Sequence, residues 1–175
     1  PKHEGLLHNK GNVLNDLKDG PGAVAIFSRL VRNAPTNAEL QRALGRGLWR
    51  SEALDKAEMR FRLATRLKPD LIDAWLDLSA VVGEAQDADA ALAILDEGVK
   101  ITSSPRLMEA KAVAIRRAHR LRQAEAYLKE VLEAYPDEAW AHYQLGGVIS
   151  DFDRPRANIH LRLSLIHISE PTRPY

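Results

Sequence analysis

An all-α array of about five helix-turn-helix repeats is predicted by three observations. Landmark residues recur at a step of 33 or 34, and apolar residues within each unit follow helical spacing. Sustained period-two alternation is absent before residue 163. The step is carried by Gly11 and Gly45, by Ala23, Ala57, Ala91, Ala124 and Ala157, and by Phe27, Phe61, Leu95, Leu128 and Leu161. Pro35, Pro69 and Pro136 punctuate the ends of units. The units are expected at about residues 4–37, 38–71, 72–104 and 105–138, with an incomplete fifth at 139–162.

Each element has a local reason. In the first unit, GPG at Gly20–Gly22 reads as the turn between two helices, and Pro35 stops the second. In the second, Leu40, Leu44 and Leu48 form one stripe at i, i+4, i+8, and Ser51 reads as the N-cap of the following helix. Asp70 is a candidate cap for LIDAWLDL in the third unit, where Ser103 stands in place of the terminal proline. The fourth unit opens on Ser104 with Pro105 at the first helical position, and it lacks the glycine landmark. Gly146 restores that landmark in the fifth. The Gly and Ala positions let helices approach closely, and Phe27 or Phe61 fills the gap between units.

The period, with Leu44-Gly45, Leu145-Gly146, Trp75, Ala64 and the recurring prolines, resembles the tetratricopeptide repeat (TPR) pattern over residues 1 to about 162. That resemblance implies a right-handed superhelical solenoid whose first helices line a concave groove for extended partner segments. Pro1 stands one step before Pro35, so the array is expected to be truncated at its start as well as its end.

The tail LSLIHISEPTRPY departs from the period in mid-helix. Leu163, Leu165 and the Ile166/Ile168 pair alternate with polar residues, and Pro171 and Pro174 forbid regular continuation. LSLIHISEPTR resembles the in-frame translation of a sequencing-library adapter, so residues 163–175 are expected to be non-native.

Composition narrows the function. Lys+Arg 25 against Asp+Glu 24 gives a net charge of +1, so no global field draws the chain to nucleic acid or anionic lipid. No apolar run reaches membrane-spanning length. Absence of Cys excludes disulfides, thiolate metal sites and cysteine nucleophiles, and fits a cytoplasmic setting. The six histidines show no metal-ligand spacing, and His142 takes the place of a packing aromatic. No catalytic residue, cofactor or metal is expected.

What remains is a surface. At 100° per residue, Arg42, Arg46, Trp49 and Arg50 share an arc opposite Leu40, Leu44 and Leu48. Later inner helices bring Asp73, Asp77 and Glu84, then Glu109, Arg116 and Arg117, then Trp140 and Tyr143. Arg42, Arg46, Trp49, Arg50, Arg116, Arg117 and Tyr143 are therefore the candidate partner-binding residues, suited to carboxylate-bearing segments; solvated helix faces would read the same way. The chaperone-clamp subtype is disfavoured, since only Asn12 matches it and Asp73 and Asp77 stand where it needs bases. The expected function is a non-catalytic protein-interaction scaffold, with self-association through uncapped ends. The alternative is the N-terminal arm of a larger bacterial enzyme such as a sulfotransferase, glycosyltransferase or iron-dependent oxygenase.

Overall fold

The computed structural model describes residues 2–150 and 154–169. All regular structure among them is helical: α1 (Lys2–Asp16), α2 (Gly20–Asn33), α3 (Ala38–Arg50), α4 (Leu54–Leu67), α5 (Ile72–Ala85), α6 (Ala88–Thr102), α7 (Pro105–Arg117), α8 (Leu121–Ala134), α9 (Ala139–Ile149) and α10 (Arg154–Ser169). The all-α helix-turn-helix class is thus observed. The chain forms two compact units, Pro1–Leu107 and Met108–Tyr175.

Close packing within a helix pair rests on a missing side chain. A Cβ built on Gly11 would lie 2.7 Å from the Phe27 ring, and one on Gly45 would lie 2.6 Å from Phe61. In the second unit, a Cβ on Gly146 would lie 2.8 Å from Leu161. Phe27 and Phe61 are fully buried as a result. Around Phe27, the residues Ala23, Leu30 and Val31 of α2 meet Leu40, Ala43 and Leu44 of α3, so the core runs on from one helix pair to the next.

Two further features recur. The turns after α1, α3 and α7 each place a non-glycine residue in the left-handed region: Lys18, Glu52 and His119. Each turn closes with an amide reaching back five residues, from Asp19 to Leu14, Ala53 to Leu48 and Arg120 to Ile115. The carbonyl of each repeat proline also accepts a side-chain N–H from six residues on. Gln41 donates to Pro35 at 2.6 Å, Trp75 to Pro69 at 2.9 Å and His142 to Pro136 at 2.8 Å. Three residue types do one job here.

Several local expectations need correction. GPG is the first turn of α2, because Asp19 caps that helix by accepting from the Gly22 amide. Ser51 is the C-cap of α3, its hydroxyl donating to the Gly47 carbonyl, and α4 begins at Leu54 after Ala53. Asp70 lies one residue before the N-cap of α5, which is Leu71. Pro105 does open α7, and Ser103 ends α6 in the left-handed conformation where the other units use proline.

The helix also persists past the point where the period breaks. Residues 163–169 continue α10, because both prolines able to stop it lie further on; residues 170–175 are outside the described residues. Its amphipathic face fails instead. Ala157 and Ser164 are buried, while Ile159, Leu165 and Ile166 are 59%, 66% and 50% exposed. Ser164 satisfies its hydroxyl by donating to the Leu161 carbonyl.

Gly5 and Gly45 separate propensity from packing. A Cβ on Gly5 meets nothing within 4 Å, so Gly5→Ala should stabilise the protein by up to about 1 kcal/mol. Gly45→Ala presses on the buried Phe61 ring and should cost about 1–3 kcal/mol despite the same gain in helix propensity. Urea midpoints of the two variants, compared with the parent, check both signs.

Candidate functional site

In the first unit the inner face is built by α1, α3 and α5. Leu40 and Leu44 point α3 into the core, which turns Arg42 and Arg46 to the opposite side. Neither arginine stands alone there. Arg42 Nε donates to Asp77 at 2.7 Å, and its Nη1 lies 3.3 Å from Asp73. Asp73 in turn meets Arg106 at 3.0 Å, and Arg46 reaches Asp16 of α1 at 3.5 Å. Trp49 donates its indole N–H to Glu84 at 2.7 Å while packing edge-on to Phe61. Arg50 is exposed at the end of α3.

The result is a charge ladder rather than an arginine stripe. Its rungs join neighbouring repeats, and two of them, Arg42 to Asp77 and Trp49 to Glu84, are 35 apart, one residue longer than the repeat. Asp73, Asp77 and Glu84 were visible in sequence as residues of the next inner helix. Their pairing is invisible on the wheel of a single helix, although adding one residue to the repeat step finds it for Asp77 and Glu84. Arg106 and Asp16 gave no signal of their own.

Burial dominates at Asp77 and pushes its carboxyl above the usual aspartate value; Arg42 pulls the other way by charge and hydrogen bonding without cancelling it, and Arg46 adds a smaller pull. Nearby Asp73 raises it further. Between α1 and α3 lies an open cleft of about 400 Å³, lined by His8, Asn12, Asp16, Glu39, Arg42 and Arg46. It offers donors and acceptors of both signs, but no nucleophile with an adjacent base. Among the described residues no group of three metal-ligating side chains converges.

The second unit carries the remaining predicted residues. Arg116 of α7 lies across Gly147 of α9, where a Cβ would be 3.5 Å from its guanidinium. Tyr143, one turn before Gly147, is 58% exposed, and Arg117 is exposed as well. Trp140 is half-buried on the same helix. Trp75, by contrast, is core at 3% exposure, as its sequence position implied.

No protein-family model and no curated protein sequence matches the chain. Solved structures do. MamA matches with a TM-score of 0.65 at 13% identity, covering 98% of each chain. MamA 41-end from Desulfovibrio magneticus RS-1 matches with a TM-score of 0.63 at 17% identity, covering 99% of each. YrrB, described as a TPR protein with an unusual peptide-binding site, matches with a TM-score of 0.57 at 19% identity, over 91% of this chain and 83% of its own. The fold is therefore that of the TPR proteins. No helix among the described residues is long and apolar enough to cross a membrane.

The raised carboxyl of Asp77 fixes a sign. Its native form holds a proton more tightly than the unfolded chain does, so protonation on acidification favours the folded state. Asp77→Asn mimics the protonated residue. Its stability relative to the parent should therefore be most favourable near pH 7 and decline toward pH 4, read as the difference in urea midpoints across that range.

Proposed function

We propose that the protein is a non-catalytic interaction module which holds an extended partner segment against the inner faces of its first helices. One observation carries this reading: the polar cleft between α1 and α3, whose bordering charges are placed at fixed positions by pairs between neighbouring repeats. A fixed row of donors and acceptors suits a peptide backbone and its side chains, which need orientation more than reaction. The peptide-binding site of YrrB, on the same fold, is consistent with it.

Within the first unit the residues have different parts. Arg42 is tied to two aspartates and acts as a positioning residue, while Arg46, half-exposed and held only at 3.5 Å, can exchange Asp16 for a partner carboxylate. Arg50 and the free edge of Trp49 extend that surface. In the second unit Arg116, Arg117 and Tyr143, with Trp140, supply an equivalent contact surface of cations and aromatic area. The preferred segment carries acidic residues spaced by neutral ones, since the paired anions of the ladder would repel a continuous acidic run. Exposed Leu6 and Val13 on α1, with Leu17 just after it, also favour self-association through that end at high protein concentration.

The test is a peptide-display selection against the intact protein, followed by affinity measurement on the selected peptides. Arg46→Glu with Arg50→Glu should weaken binding ten-fold or more at low salt, with less loss at high salt. Unchanged affinity in that variant would remove the inner face from consideration. Helical content measured alongside separates lost binding from lost fold.

A further inference from the structure

In the second unit, two histidines meet where α10 lies against α9. His142 is buried at 7% exposure, and its Nδ1 lies 3.1 Å from Nδ1 of His160, which is partly buried. The ring planes are inclined by only 24° and the centroids are 5.4 Å apart, the separation reached when two imidazoles meet edge to edge through their Nδ1 atoms. The rings do not lie over each other. They are joined head-on, as an N–H···N hydrogen bond requires.

The protons in that bond can be counted. His142 Nε2 is 2.8 Å from the Pro136 carbonyl, which can only accept, so Nε2 carries hydrogen. Neutral His142 then has its lone pair on Nδ1, and His160 must donate from its own Nδ1. His160 keeps Nε2 as its basic atom. A first added proton goes there and leaves the bridge intact but charged. A second would have to enter at Nδ1 of His142, facing the N–H of His160 at 3.1 Å, and the bridge cannot survive it.

The surroundings resist even the first proton. Arg156, one turn earlier on α10, and Lys129 of α8 face His160 with positive charge, and Glu125 of α8 is already engaged by Lys129 at 2.6 Å. Burial first, then His142, Arg156 and Lys129, hold His160 below the ordinary histidine value.

We propose that the His142–His160 bridge is an acid-sensitive latch: neutral, it docks α10 on α9; with both rings protonated, it releases α10 and uncovers the α9 face around Gly146 that Leu161 covers. The sign follows from linkage. The unfolded histidine takes its proton at a higher pH than the folded one, so the stability of the docked hairpin is complete above the ordinary histidine value and is lost as pH falls through it.

The experiment is hydrogen exchange of the intact chain at pH 7.5 and pH 5.5, expressed as protection factors so that the intrinsic pH effect is removed. Protection of α10 amides should drop ten-fold or more at pH 5.5, with α1–α4 changing far less. His160→Asn keeps an N–H donor where Nδ1 stood, cannot gain a proton, and can turn its amide oxygen to accept from a protonated His142, so its α10 protection should be nearly independent of pH. An equal pH-dependent drop in His160→Asn overturns the proposal, as does full α10 protection of the parent at pH 5.5. Should the variant fail to fold, ring NMR titration of the parent decides: a depressed His160 pKa supports the latch, and an ordinary or raised value overturns it.

Discussion

The structure depends on a single steric constraint, the close approach of the two helices of a pair at a residue with a small side chain or none. Gly11 and Gly45 sit under Phe27 and Phe61, and Gly146 sits under Leu161. A buried phenylalanine supplies a large apolar area, but only if the facing helix yields the space. Once that contact is made, the remaining core residues of α2 lie within reach of α3, as Ala23, Leu30 and Val31 do. The order of neighbours along the chain is then fixed by what each pair leaves exposed.

The proline carbonyl adds direction to this packing. Proline ends a helix because it has no N–H, yet its carbonyl remains a strong acceptor and is met by a side chain six residues later. Gln41, Trp75 and His142 look unrelated in sequence, but each has an N–H at the right reach. His142 shows how such a structural position can acquire a second property. Its donor is committed to Pro136, so its other nitrogen becomes a fixed acceptor, and whatever stands opposite must donate.

The fold was largely legible because it is periodic: steric landmarks must recur wherever the same contact recurs. Trp75 and His142 are recognisable as packing residues from the period alone, and the start signal at Pro105 and the stop signals at the repeat prolines hold. What failed was local. Ser51 and Asp70 have good capping chemistry, but the left-handed turn at Glu52 and the one-residue offset at Leu71 move the helix starts away from them. The turn residues Lys18, Glu52 and His119 carried no glycine to mark their backbone, so no signal pointed to them. In α10 the sequence period breaks at residue 163, yet the helix runs on to Ser169, since local hydrogen bonding outlasts amphipathic design until a proline intervenes.

The inner face was only half legible, and the reason is electrostatic. A helical wheel groups residues of one helix, so it finds Arg42 and Arg46 together but is blind to Asp77 and Asp16 on neighbouring helices. Those partners change the chemistry. A free arginine row would attract any anion at long range, whereas a ladder of matched pairs has little far field and offers its charges only to a ligand that can replace a rung. Replacing Asp16 at Arg46 exchanges one exposed carboxylate for another and costs little; displacing Asp77 from Arg42 would strand a partly buried anion. The pairs thus grade the surface, with Arg46 open to exchange and Arg42 fixed. Selectivity on such a face comes from where the exchangeable rungs lie, not from the sign of the charge.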